Sequence, residues 1–381
     1  MKTMIKYSIL QCFLWMLFCS CYGYITYYLL SKGFSTSSVG IVTAVFGLMG
    51  AFLQPVIGRI IDNKVVIWKR IGILLALLML ICSIVLLCFE NKIIQGLFFG
   101  ITITSLNICL PLVNRVGFLC QTETQKINFG VARGFGSLSY ACLSLLLGKL
   151  SVCLGSGIIP LSTSIISACM IILLFLMPKG NLSLVSEQKE ASSNSLSVLV
   201  KYPAFTLMWI SCVFQMIFHN LTNTYLINIC ERAGGSSETL GVALAIAAVV
   251  ELPVLFLFAK INKHITVKNL LKISAIVFLI KAIGYFISFR IPLLYITQFL
   301  QFASFAIYAS ASVYYAENAV DENDKTTAQS FMSGSQTIGT VIGGLIGGFV
   351  ISTYSLNAML VLGIIIALFG ACFSFVKSKS N

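Results

Sequence analysis

Of the 381 residues, 58% are apolar and 10% are charged, and the mean hydropathy is +0.97. A soluble globular domain carries roughly 25% charged residues, so this chain cannot cover a water-facing surface; a soluble enzyme, a disulfide-stapled secreted domain and a disordered protein are excluded. The net charge of +13 would suit nucleic acid, but the basic residues are spread between apolar runs rather than gathered in one patch, so no nucleic-acid partner is expected.

Polar breaks divide the chain into twelve apolar runs, each near the ~20 residues that cross a bilayer. They cover approximately 7–30, 39–61, 71–89, 93–114, 128–150, 157–177, 204–228, 239–260, 269–289, 293–316, 327–352 and 356–376, here spans 1 to 12. The first is too long for a signal-peptide core and has no evident cleavage site, so it reads as a span. Its Tyr22 and Tyr24 can wall a cavity; for Tyr27 and Tyr28 an interfacial belt is the expectation. Span 2 opens with Gly40-Ile-Val-Thr-Ala after a serine-rich loop, and span 8 opens the same way with Gly241-Val-Ala-Leu-Ala. Span 4 carries Thr104, Asn107 and Asn114 near one face. Span 5 carries Gly130, Gly134, Gly136 and Gly148, and it corresponds to the glycine-rich span 11. Its Arg133 is about two helical turns from water and could snorkel.

Between spans 6 and 7 lies the longest polar stretch, Pro178 to Pro203, which reads as a flexible linker. Residues 1–178 are therefore expected to form one six-helix bundle, 179–203 a cytoplasmic linker and 204–381 a second bundle. Span 7 carries Gln215, His219, Thr222 and Asn223 at helical spacing, with Asn220 beside them. Span 10 carries Gln298, Gln301 and Ser304 at i, i+3, i+6. Such stripes serve either interhelical hydrogen bonds or a polar ligand cavity. Glu251 in span 8 and Lys281 in span 9 are ionisable groups inside apolar runs, where each costs a few kcal/mol, so both are functional candidates. Lys281 could be the counter-ion of Glu251 or could snorkel. A repeat of half the chain with both halves in one orientation is a transporter pattern.

With both termini inside, eighteen Lys/Arg fall on the inner side and five outside, which sets the orientation in a plasma membrane, of the bacterial inner-membrane kind. The thirteen cysteines lie mostly within the spans and form no C-x-x-C, and there are two histidines and no H-E-x-x-H. No catalytic centre, metal site or cofactor is expected.

The loop after span 2 reads Gly58-Arg-Ile-Ile-Asp62-Asn-Lys64, followed by Lys69-Arg70. It resembles the G-x-x-x-D-[RK] gating-loop motif of the major facilitator superfamily. Gln54-Pro55-Val-Ile-Gly58 and Asn128-Phe-Gly-Val-Ala-Arg133-Gly-Phe-Gly136 are similar to the branch containing lactose permease and related oligosaccharide and nucleoside proton symporters. The resemblance implies an all-α integral membrane fold, twelve helices in two pseudo-symmetric bundles, with substrate bound at the midplane. It matches Arg133 to a sugar-binding arginine, Tyr140 to a sugar-stacking tryptophan, Glu251 to a glutamate linking sugar and proton, and Lys281 to a span-9 arginine. This chain departs from it elsewhere. Asn114 replaces a sugar-binding glutamate, Asn220 and Asn223 replace two aspartates, and Gln298 and Gln336 replace their lysines. Gln301 replaces a histidine, and Ser304 the proton-carrying glutamate. Loss of both acid–lysine pairs together leaves no buried charge stranded.

The expected protein is a monomeric secondary transporter in the lipid bilayer, moving a small polar solute such as a sugar or nucleoside with protons. Glu251 and Lys281 would couple the proton; Arg133, Tyr140, Asn114, Asn220, Asn223, Gln298, Gln301 and Gln336 would bind substrate. An exporter of amphipathic or aromatic compounds and a non-transporting membrane sensor are the alternatives.

Overall fold

The computed structural model describes residues 2–63, 67–120, 129–178 and 195–376. Among the described residues, twelve helices are long and apolar enough to cross a membrane. They are Thr3–Gly23, Thr36–Gly58, Trp68–Cys88, Lys92–Gly117, Phe129–Leu154, Ile158–Leu176, Pro203–Thr224, Ser237–His264, Val267–Ile287, Ile291–Asn318, Glu322–Thr353 and Leu356–Phe375, the observed spans 1 to 12. No strand occurs among the described residues.

Each helix is apolar on its outer as well as its inner side. In span 3, Ala76, Met79, Cys82, Ser83 and Leu86 are buried, while Leu74, Leu78, Ile81 and Ile84 face outward. Small residues let neighbouring helices close in, and the outward leucines and isoleucines would be an aggregation surface in water. In a bilayer they meet acyl chains, and every backbone group is satisfied inside the helix.

Two compact units emerge. The first takes in the chain to Glu187 together with Ser236–Val249; the second takes in Gln188–Gly235 and Val250 onward. Span 8 is thus divided, its first half packing in unit 1. The same pairings recur in each unit: span 1 on span 5 and span 3 on span 6 in the first, span 7 on span 11 and span 9 on span 12 in the second.

The repeat extends to the turns. Span 1 breaks at a π-turn, Cys19–Gly23, and resumes as Ile25–Ser31; span 7 breaks at Tyr225 and resumes as Leu226–Arg232. Both short helices end at a glycine with positive φ, Gly33 (79°) and Gly234 (82°), a conformation that costs glycine nothing. In each the next amide reaches back into the helix: Phe34 N–H donates to the Leu29 carbonyl, Gly235 N–H to that of Cys230. Hydropathy alone gives spans 1, 7 and 10 as uninterrupted runs; in the structure all three helices are interrupted. Tyr28 is a second correction. It is fully buried and donates to Gln95 Oε1, rather than joining an interfacial belt.

Gly339, Gly343 and Gly347 of span 11 are notches for span 7. A Cβ on Gly343 would lie 2.7 Å from the Ile217 carbonyl oxygen and 2.8 Å from the Leu221 nitrogen, both backbone atoms that cannot step aside. Gly334 has nothing within 4 Å. Gly343→Ala should therefore cost about 1–3 kcal/mol, while Gly334→Ala stays near neutral; thermal unfolding in detergent compares them.

At the start of span 7, Lys201 bonds Asp324 at 2.8 Å and Asp321 at 3.0 Å, and Tyr202 donates its hydroxyl to the same carboxylates at 2.8 and 2.7 Å. The Tyr202 and Lys201 hydrogen bonds hold the Asp321 carboxyl below its usual range, and the Asp324 and Asp321 contacts push the Lys201 ammonium up. The Asp321 contribution is present above its unfolded pKa and lost as pH falls through the folded value. The Lys201 contribution is present below its unfolded pKa and lost as pH rises through the folded one. The clasp is thus closed at neutral pH. Lys201 and Asp321 are exposed, and the buried Asp324 keeps its Tyr202 bond when Lys201 is removed, so Lys201→Met should lower Tm by only about 1–2 °C, and the difference from wild type should vanish at acid pH.

Candidate functional site

In unit 2 the polar residues converge where span 10 breaks. The helix Ile291–Phe299 gives way to a tight 3-10 turn, Leu300–Phe302, and resumes at Phe305. Ser304 has φ −92° and ψ −88°, outside the helical region. Its carbonyl accepts from Tyr308 N–H at 3.1 Å and also from Ser274 Oγ of span 9 at 2.8 Å, which ties the break to span 9. The turn aims Gln301, 4% exposed, between two charges. Lys281 Nζ donates to Gln301 Oε1, and Gln301 Nε2 donates to Glu251 Oε1 at 2.8 Å. Lys281 is 1% exposed and its ammonium stands 5.5 Å from the centre of the Tyr285 ring. The buried acid and base are therefore joined through a neutral amide. An amide suits this position because one end donates and the other accepts.

Beside this chain, His219 lies flat on Phe305, ring centres 4.4 Å apart, and its Nε2 stands 3.0 Å from Asn223 Nδ2. The amide and the imidazole thus share a hydrogen bond whose donor is set by the imidazole tautomer. Asn220 donates to the Met216 carbonyl and accepts from Thr340 Oγ1 at 3.1 Å. Gln298 is 1% exposed, and its Nε2 has no hydrogen-bond partner among the described residues. Gln336 is exposed on span 11.

In unit 1, Arg133 and Asn114 are linked through two residues of span 1. Asn114 Oδ1 accepts from Gln11 Nε2 at 3.1 Å, and Gln11 Oε1 accepts from Trp15 Nε1 at 3.2 Å. The Arg133 guanidinium lies 3.5 Å above the Trp15 ring, and its Nη1 donates to Ser137 Oγ at 2.7 Å. Trp15 stacks in turn on Phe18, and Phe18 on Tyr22. Tyr140 packs against Ala141, Ala245 and Ala248, where small side chains leave room for its ring.

Gly58 falls within the second helix, and the Asp62 side chain lies outside the described residues. Gln11 and Trp15 were missed in the sequence. Gln11 had a signal, being the one amide in an otherwise apolar stretch of span 1. Trp15 had none, since it sits where it does because Gly136 of span 5 leaves a notch: a Cβ there would come within 2.5 Å of the indole. Among the described residues no group of three or more His, Cys, Asp or Glu is placed to hold a metal ion.

The model of the MFS_1-like family matches residues 4–361. The chain belongs to that family. It is a transporter of the major facilitator type, not an enzyme, and a multi-pass membrane protein. A Bacillus subtilis protein named as a transporter, YwbF, is 23% identical over 360 residues, covering 91% of this chain and 86% of its own. A Deinococcus radiodurans protein named as a sugar efflux transporter is 24% identical over 149 residues, 38% of each chain. Among solved structures, the nucleoside transporter NupG superposes with a TM-score of 0.82 at 15% identity, covering 98% of both chains. A peptide transporter of the POT family gives 0.75 at 10% identity, over 97% of this chain and 94% of that one. At such identities the superpositions show the fold alone.

Proposed function

We propose that this transporter is a proton-coupled symporter of a small polar solute, a sugar or nucleoside-like compound, with Glu251 as the proton-carrying group. The observation that carries the reading is the Lys281–Gln301–Glu251 chain inside the second unit. A carboxylate and an ammonium kept in apolar spans are costly, and a protonation change at Glu251 would be felt directly by Gln301 and, through it, by Lys281. Substrate-binding roles are proposed for Arg133, Tyr140 and Asn114 in unit 1, and for Asn220, Asn223, Gln298, Gln301 and Gln336 in unit 2. The loop motif at Gly58 and Asp62 is proposed to act in gating, and the protein to work as a monomer. The excess of Lys/Arg on one set of loops supports termini and linker in the cytoplasm, with bundles at 1–178 and 204–381 joined by 179–203.

The test is flux in proteoliposomes with an imposed pH gradient, using radiolabelled uridine and maltose as probes while proton uptake is recorded. Solute movement with a stoichiometric proton supports symport; movement without one sinks it. Export is a second reading, supported by the sugar efflux name of the Deinococcus radiodurans relative. Reversing the gradient in the same vesicles decides direction.

A further inference from the structure

Arg133 in unit 1 is held by something neither composition nor spacing announced. The Arg133 guanidinium carbon lies over the Trp15 ring, 3.5 Å from its centre. The indole is itself fixed on three sides. Its Nε1–H is taken by Gln11 Oε1, its ring stacks on Phe18 at 5.1 Å, and its Cδ1 edge fills the notch of Gly136. Gln11 is anchored in turn, donating to Tyr7 Oη at 2.8 Å and to Asn114 Oδ1 at 3.1 Å. Side chains that only fill space do not need an amide holding their N–H and a glycine cleared for their edge.

A guanidinium stacked on an aromatic face keeps its plane parallel to the ring, so its N–H groups point out along the edge. Nη1 gives one hydrogen to Ser137 Oγ at 2.7 Å, and a guanidinium edge that meets a solute does so as a flat fork, which matches a planar pair of acceptor atoms better than separate hydroxyls. An ammonium on the same backbone would have neither the plane nor the fork.

The geometry points to Trp15 as a positioning residue: its indole sets the plane of Arg133, and the fork so presented selects solutes that carry a planar pair of acceptors, a carboxylate or the ring-nitrogen and carbonyl edge of a base, over solutes with hydroxyls alone. This rests on the substrate-binding role proposed for Arg133.

Two measurements test it. In protein labelled with 15N-arginine, the Arg133 Nε–H resonance should lie upfield through the indole ring current. Trp15→Leu should abolish that shift and Trp15→Phe should keep a substantial part of it. Binding is then titrated with cytidine, glucuronate and glucose. Cytidine or glucuronate should bind more tightly than glucose, and which of the two binds identifies the source of the acceptor pair. Trp15→Leu should weaken the tighter probe about tenfold and Trp15→Phe by less than about threefold, with Tm little changed in Trp15→Phe. In an Arg133→Lys background, Trp15→Leu should add less than about twofold, because the indole then has no guanidinium to orient. Equal loss from Trp15→Leu in both backgrounds would mean simple packing and overturn the assignment. So would an unshifted Arg133 resonance in wild type. Failure of both planar probes, or equal binding of glucose, overturns the selectivity. If Arg133→Lys binds as wild type, the substrate-binding role of Arg133 falls and takes this inference with it. If Arg133→Lys is weakened but Trp15→Leu is not, only the role of Trp15 falls.

Discussion

Glu251→Gln should abolish uphill, proton-driven accumulation while leaving the protein folded and able to exchange substrate down a gradient. The replacement is nearly isosteric, and its side-chain oxygen can still accept from Gln301 Nε2 where the carboxylate now does, at 2.8 Å. The hydrogen-bonded chain to Lys281 is thus kept and only the capacity to carry a proton is lost. For one proton per solute, a gradient of one pH unit supplies about 1.4 kcal/mol, enough for roughly tenfold accumulation. In the variant the internal-to-external ratio should fall to about one, with counterflow retained. Accumulation persisting in Glu251→Gln would remove this residue from the coupling step. It would leave the family and fold untouched.

Lys281→Met should be the more damaging change to the protein itself. Lys281 is 1% exposed, and its ammonium is the donor to Gln301 Oε1. Removing it leaves the Glu251 charge in an apolar span with its compensating cation gone. Loss of one member of a buried pair typically costs about 3–5 kcal/mol. A protein as marginally stable as most would then express poorly. The double variant Glu251→Gln/Lys281→Met removes both charges and should recover a large part of that loss. A coupling energy of about 0.5–3 kcal/mol is the range for residues that share a network. Thermal unfolding of the four proteins in one detergent gives the cycle. Strict additivity would mean that the two charges do not sense each other through Gln301, and the coupling pathway drawn through that amide would have to be abandoned.

Much of the architecture was legible because a bilayer punishes irregularity. An unsatisfied backbone group in hydrocarbon costs several kcal/mol, so long apolar runs become helices with little dependence on context. The twelve spans expected from polar breaks lie within a few residues of those observed at most of their ends. The repeat was legible too: Gly40 and Gly241 each stand near the start of a helix that follows a positive-φ glycine, Gly33 or Gly234. The candidate residues were harder. Gln301 could be singled out as an amide in an apolar run, but its role as the bridge between Glu251 and Lys281 could not. That bridge depends on the 3-10 turn at Leu300–Phe302 and on Ser274 of span 9 taking the Ser304 carbonyl.

What the sequence determined by itself was the class: a polytopic membrane protein built as a repeat, with a carboxylate and an ammonium retained in hydrophobic spans. Those properties follow from hydropathy, charge placement and local turn chemistry, all short-range and additive along the chain. Only the tertiary structure decided which groups meet. Trp15 under Arg133, Gln11 between Trp15 and Asn114, and Gln301 between Lys281 and Glu251 each join different helices. Whether two such side chains touch depends on helix rotation and on where a neighbour is small enough to admit them. The Gly136 notch decides it for the indole, and the Ser274 hydroxyl helps to hold the span 10 break for the amide. Periodicity along one helix carries no information about the rotation of the next, because that is set by the packing of their facing side chains.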